Sequence, residues 1–306
     1  MTKPNPTAKL PDFIGDEVYE SYETARVVIL PIPYEITTTY RKGCEHGPAE
    51  LLDASYQLEY YDDELRCEPC FDLGIFTHPA IADTRQSPDL TPEMMLRETS
   101  TTVKKLLDDN KFVIALGGEH AITTGVVQGF LNFENEPFTV VQIDAHADLR
   151  QTFEGSEHNH ACVMRRIMDF GLPSLPVAIR CLCKEEADLI AVKQIPVVWA
   201  LDIHQNPNWI EEAIANITTE KVFLTIDLDG IDPSLIGGVG TPEPGGLDWF
   251  STLKFLRRLF QQKTVIGCDV MELAPIQGTV VSEYTAAKLV YKLIGYWHEK
   301  NFRNQC

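Results

Sequence analysis

The sequence predicts an α/β domain with a central, mostly parallel sheet, layered as an α/β/α sandwich. Three observations predict it: short continuous apolar runs, helix-period stretches between them, and their alternation along the whole chain. The runs fall at 26–31 (RVVILP), 111–116 (KFVIAL), 138–143 (FTVVQI), 177–183, 197–200, 221–226 (KVFLTI) and 264–271. They carry no regular polar alternation, so both faces of each strand should be covered, as in a parallel sheet. The stretch 91–109 places Met95, Leu96, Val103, Leu106 and Leu107 at helical spacing. The stretch 248–261 does the same with Leu253, Leu256 and Phe260, with Asp248 or Ser251 as its N-cap. Residues 284–298 (YTAAKLVYKLIGYWH) read as a closing amphipathic helix. No repeat, low-complexity tract or dividing linker interrupts the alternation, so 1–306 reads as one domain, with 1–24 as an N-terminal extension.

Acidic residues outnumber basic ones 45 to 26, for a formal charge of −19. Such a chain repels phosphate backbones and anionic lipid, which argues against nucleic-acid and membrane partners and favours cations. No apolar run approaches the roughly 18 residues of a membrane span, and the first eleven residues lack a secretory pattern. A cytoplasmic protein is expected. The eight cysteines are scattered, unlike a disulfide framework. Cys67 and Cys70 have CxxC spacing, but no second Cys/His pair follows, and their surroundings read as a loop with incidental cysteines.

In open α/β sheets, ligands gather beyond the carboxyl ends of the strands. Three runs lead there into unusual residues: Gly117-Gly118-Glu119-His120, Asp144-Ala-His146-Ala-Asp148, and Asp227-Leu-Asp229-Gly-Ile-Asp232. Were these segments extended, Asp144, His146 and Asp148 would share one side, and so would Asp227 and Asp229. Four carboxylates in so small a volume repel one another unless cations are present. The imidazoles of His120 and His146 add nitrogen donors. Six such ligands suit two divalent ions about 3.5–4 Å apart with a shared water, and an oxygen-rich set without thiolate favours Mn²⁺. Each motif alone could be a solvated loop, a helix cap or a charged turn; together, each after a buried-type strand, they point to a metal centre.

These motifs, with GTPEPGGL (240–247) and DVMELAP (269–275), resemble the ureohydrolase family of arginases and agmatinases, in the family's order and rough spacing from about Val27 to the final helix. The segment 148–166 looks like the shorter agmatinases. The resemblance implies a hydrolase that cleaves a small cationic guanidino substrate and releases urea, using two Mn²⁺ per subunit, with Ni²⁺ as the alternative. It implies that His120, Asp144, Asp148 and Asp227 hold one ion and that His146, Asp144, Asp227 and Asp229 hold the other. It further implies His160 as the proton shuttle, Glu272 as the guanidinium grip, Asp148 as acceptor of a hydrogen bond from the reacting group, and Asp232 as a residue that orients a ligand. Spacing alone does not choose between His158 and His160, and Glu272 by itself could be a helix cap. Family members assemble as trimers or hexamers, so the same is expected here.

Where arginases carry an asparagine two residues beyond the second aspartate of the Asp-x-His-x-Asp motif, this chain has Arg150. A decarboxylated substrate, agmatine, therefore fits better than arginine, and GTPEPGG with Glu243 is likewise closer to agmatinases. Arg41 or Arg150 could instead recognise the carboxylate of a guanidino acid, and free guanidine is a further family substrate. A metal-binding paralogue without activity is the rival reading; the intact catalytic positions weigh against it.

Overall fold

The computed structural model describes residues 10–18 and 20–302; Cys306 and part of the expected N-terminal extension lie outside them. Among the described residues, eight strands form one sheet: β1 (Val27–Ile32), β2 (Ile75–Thr77), β3 (Phe112–Gly117), β4 (Phe138–Ile143), β5 (Ser174–Ile179), β6 (Val198–Trp199), β7 (Lys221–Asp227) and β8 (Thr264–Met271). Within the same described residues, ten α-helices accompany them: α1 (Gly47–Ser55), α2 (Pro69–Leu73), α3 (Pro92–Asp108), α4 (Ile122–Leu131), α5 (Val163–Asp169), α6 (Lys184–Lys193), α7 (Ala200–Gln205), α8 (Trp209–Ala215), α9 (Trp249–Gln262) and α10 (Val281–Phe302). The strand order is β2-β1-β3-β8-β7-β4-β5-β6, and every pair is parallel.

The absence of polar alternation follows from two apolar layers. Val27 and Ile29 of β1 pack on one side in a cluster with Leu51, Phe255 and Tyr291; Val28, Leu30 and Ile32 face the other side with Val103, Val126 and Met164. Helices α1, α9 and α10 thus cover one face, and α3, α4 and α5 cover the other. Asp248 is the N-cap of α9, accepting from Ser251 N at 3.0 Å, which decides between the two candidates. Among the described residues, no helix is long and apolar enough to cross a membrane.

Three departures from the sequence reading have local causes. The run expected at 177–183 is displaced: β5 ends at Ile179, because Ala178 has φ +72° and the register with β6 shifts there. Arg180 and Cys181 then both donate to Ala145 O at 2.9 Å, turning the chain over the sheet's edge. Helix α4 shows no amphipathic stripe since nearly all its side chains are buried, with Gly129 so close to α3 that a Cβ would stand 2.7 Å from Val103 Cβ. The Cys67–Cys70 segment is not a plain loop: Pro69 starts α2, and buried Cys70 accepts from Tyr291 Oη at 3.3 Å.

Candidate active site

All strands being parallel, their carboxyl ends share one edge. There the four neighbours β3, β8, β7 and β4 deliver His120, Glu272, Asp227 and Asp144 to the middle of the sheet. The two glycines before Glu119 permit this closeness. A Cβ on Gly117 would lie 1.9 Å from Met271 Sδ, and one on Gly118 would lie 2.1 Å from Tyr34 O.

The aspartates do not converge by strand alternation, as extended segments would require. Past Ile143 the chain curls: His146 N donates to Asp144 Oδ1 at 2.6 Å, and Asp148 adopts φ +51°. Past Asp227 comes a single 3₁₀ turn, in which Asp229 N donates to Asp227 Oδ1 at 2.9 Å. Short carboxylates that accept a backbone N–H two residues on curl the chain in this way. The two loops interlock, since Ala145 N donates to Asp229 Oδ1 at 3.0 Å, and a Cβ on Gly230 would stand 2.6 Å from Asp144 N.

His120 Nδ1 lies 3.1 Å from Asp144 Oδ2, 3.1 Å from Asp148 Oδ2 and 3.3 Å from Asp227 Oδ2. His146 Nδ1 lies 2.9 Å from Asp229 Oδ2 and 3.6 Å from Asp144 Oδ1. Two donor groups result, His120/Asp144/Asp227 and Asp144/His146/Asp229, each with its ligand atoms within 4.8 Å of one another. They share Asp144, one oxygen toward each imidazole; Asp148 joins the first through His120. The buried His120 Nδ1 finds no hydrogen-bond partner of acceptable geometry although three carboxylates surround it. An imidazole nitrogen aimed with three carboxylates at one buried point fits a divalent cation, and the shared carboxylate fits a pair of them.

The surrounding hydrogen bonds support that fit. His120 Nε2 lies 2.9 Å from Thr225 Oγ1, and Thr123 Oγ1 donates to buried Asp269 at 2.9 Å, fixing the ring from behind. Gln142 Nε2 donates to Asp144 Oδ2 at 2.8 Å. Asp232, expected to orient a ligand, instead accepts from Ser234, Gly245 and Gly246 and shapes the loop that carries Glu243. The turn after Ile231 directs its carboxylate back into its own loop.

Electrostatically, the cluster in isolation retains protons. Burial and the charge of Asp144 push Asp148 up to about 7. Burial and neighbouring carboxylates also raise Asp227 and Asp229. Burial disfavours the charged imidazolium of His120, but Asp144, Asp148 and Asp227 override it and hold the ring well above the ordinary histidine range. The raised carboxyl of Asp148 contributes stability that is full below pH 4 and lost as pH rises through about 7. The raised His120 contributes stability that is full below about pH 6.5 and lost above it. His160 has the opposite sign, but its pKa lies at about 4, so its influence ends near pH 6.5. Hence the melting temperature of metal-stripped protein is expected to fall between pH 6.5 and 8, while saturating Mn²⁺ flattens the trend. Calorimetry with and without chelator checks this; a flat or rising apo curve contradicts the proton-holding cluster.

A cavity of about 340 Å³ opens over these donors, lined among others by Tyr40, Arg41, Arg150, His160, Glu243 and Glu272. His160 faces it, and burial lowers its pKa to about 4. His158 does not line it and sits 3.8 Å from Glu157 instead. Glu272 caps no helix of its own: it directly follows β8 at φ +68°, only 7% exposed, and accepts from His120 N at 2.6 Å. Arg41 Nη2 donates to the carbonyls of Ala274 and Pro275 at 3.0 and 2.9 Å, and Arg150 lies over the Phe153 ring at 4.5 Å. The sequence reading did not single out Thr225, Asp269, Gln142, Thr37 or Cys181, which reach the site by folding and carry no spacing signal. A third group, His146/Cys181/Glu243, stands at the cavity's rim.

The sequence profile of the arginase family matches residues 25–295. The chain belongs to the arginase family. It is 60% identical over 300 residues to the N(1)-aminopropylagmatine ureohydrolase of Synechocystis sp., covering 98% of each chain. It is 36% identical to the Thermus thermophilus protein of that name, covering 90% of this chain and 91% of that one. The crystal structure of the agmatine ureohydrolase of Thermoplasma volcanium superposes with a TM-score of 0.83 at 27% identity, covering 98% of both chains. This arginase-family protein is therefore an agmatinase-like ureohydrolase, as the motifs implied.

Proposed function

We propose that the chain hydrolyses N1-aminopropylagmatine to spermidine and urea. The observation that carries this reading is the 60% identity across 98% of both chains to the Synechocystis protein of that name. The reading from sequence, agmatine to putrescine, differs by one aminopropyl arm on the same guanidino end. The 27%-identical Thermoplasma volcanium agmatine ureohydrolase keeps agmatine as the second reading.

The residues support the chemistry as follows. His120, Asp144, Asp148 and Asp227 would hold one divalent cation, and Asp144, His146 and Asp229, with Asp227 as a further bridge, would hold the other. Mn²⁺ is favoured by this donor set. Such a pair, when bound, lowers the pKa of a water enough to make it a nucleophile near neutral pH. Glu272 sits in the cavity wall to take the guanidinium by charge-assisted hydrogen bonds and hold its carbon in place. Asp148 accepts a hydrogen bond from the tetrahedral species as it forms. His160 delivers a proton to the departing nitrogen, so that guanidinium and water become ammonium and urea with charge conserved. Arg41 is bonded to two carbonyls, which disfavours it as a carboxylate receptor and leaves Arg150, stacked on Phe153, as the arginine that a guanidino acid would need. The −19 charge of the chain favours a polycation.

Urea release should be measured on protein loaded with Mn²⁺ or Ni²⁺, with N1-aminopropylagmatine, agmatine, arginine, guanidinobutyrate and guanidine. One extra ammonium hydrogen-bonded to a charged group is worth about 1.5 kcal/mol, so kcat/KM for the aminopropyl substrate should exceed that for agmatine about tenfold. Equal or better use of agmatine overturns the aminopropyl reading, and preference for arginine overturns both.

A further inference from the structure

Glu119, the residue beside His120, holds no position in the reaction described above, yet its carboxylate is fully buried. Its Oε2 accepts from Ile36 N and Thr37 N, both at 2.6 Å, and its Oε1 accepts from Thr37 Oγ1 at 2.7 Å. The same Thr37 hydroxyl accepts from the backbone N–H of His160 at 3.0 Å and lies 3.3 Å from His160 Nδ1. A hydroxyl has one proton and two lone pairs. Here the proton goes to Glu119, and one lone pair goes to the His160 amide. The remaining lone pair faces Nδ1, so that contact is a hydrogen bond only if Nδ1 carries the hydrogen.

We infer that Glu119 and Thr37 are positioning residues that fix His160 as its Nδ1–H tautomer, leaving Nε2 as the basic nitrogen of a side chain that lines the cavity. This rests on the reading of His160 as the proton carrier of urea release. A neutral imidazole offers one donor and one acceptor, and which nitrogen is which follows from the partner of the other. With Nδ1 bound to the loop, the proton that His160 accepts and later gives to the leaving nitrogen travels through Nε2 alone, and no second tautomer competes. The arrangement also joins the two halves of the site. Glu119 and His120 are adjacent on one turn, so the turn that presents a metal-ligating imidazole also anchors the 36–37 loop against which the proton carrier rests. The loop end of the anchor is the threonine of Ile36-Thr37, just before the cavity-lining stretch 38–41.

Neutron diffraction from deuterated, Mn²⁺-loaded crystals near pD 8 reads the tautomer directly. The expected map shows deuterons on Thr37 Oγ1 toward Glu119 and on His160 Nδ1, with none on Nε2; a deuteron on Nε2 and none on Nδ1 overturns the inference. In solution, Thr37→Val should lower kcat about 10- to 100-fold, leave KM within a factor of about 2, and leave the metal content unchanged. Thr37→Ser, which keeps the hydroxyl, should restore kcat to within about threefold. A Thr37→Val variant that keeps full kcat, or a Thr37→Ser variant that loses as much as Thr37→Val, also contradicts the clamp. The underlying reading is tested apart from it: if His160→Ala retains full turnover, His160 is no proton carrier, whichever nitrogen holds the deuteron.

Discussion

Asp144→Asn is expected to strip the protein of both metal ions and to lower urea release about 10³-fold or more. Asp144 is completely buried and is the one aspartate common to the two donor groups, with Oδ2 toward His120 and Oδ1 toward His146. Its carboxyl is drawn down, against the effect of burial, by those two imidazoles, so it is the member of the cluster that stays ionised. The substitution is isosteric. The amide oxygen can still accept from His146 N, and flipping the Gln142 amide lets its oxygen accept from the new Nδ2, so the fold should survive, as circular dichroism can establish. What disappears is the negative charge that two cations would share. Metal ions contribute several kcal/mol of charge stabilisation, and each 1.36 kcal/mol is tenfold in rate. Elemental analysis and a urea assay on the same preparation decide the matter. Asp227→Asn, which alters the first donor group, is expected to lose activity similarly; full turnover in either variant would end the two-metal account.

The second large effect is expected of Glu272→Gln: kcat/KM reduced about 10- to 100-fold, mostly as raised KM, with the metal content unchanged. Burial pushes the Glu272 carboxyl well above the usual carboxylate range, so a cationic group arriving beside it would favour its ionisation. A hydrogen bond between charged groups is worth about 1.5–3 kcal/mol, which sets the predicted loss. Glutamine can still accept from His120 N through its amide oxygen, as Glu272 Oε1 does at 2.6 Å, so the backbone turn at φ +68° is preserved. Unchanged steady-state kinetics would remove Glu272 from substrate binding. Loss of metal in this variant would instead make it part of the ion site.

Much of this architecture is legible along the chain. Runs such as FTVVQI and KVFLTI can be covered on both faces only in a sheet with helices on each side, and the strands they form match those segments almost residue for residue. The six clustered His and Asp residues are legible too, because each follows such a run and parallel strands end on one edge. Less legible were segments whose pattern is erased by burial or brevity. Helix α4 is apolar all round, and β2 has only three residues.

The sequence by itself determined the layered fold, which His and Asp residues meet at the site, and membership of a urea-releasing family. It could do so because local hydrophobic runs and motif order are properties of neighbouring residues. Tertiary structure alone decided how the aspartates meet, through curled loops and not along straight strands. It also decided that Asp232 serves its own loop, and that Thr37 and Glu119, 82 residues apart, hold His160. Those outcomes depend on hydrogen bonds between segments distant along the chain, whose partners are chosen only when the sheet gathers the carboxyl ends of β1, β3, β8, β7 and β4 along one edge.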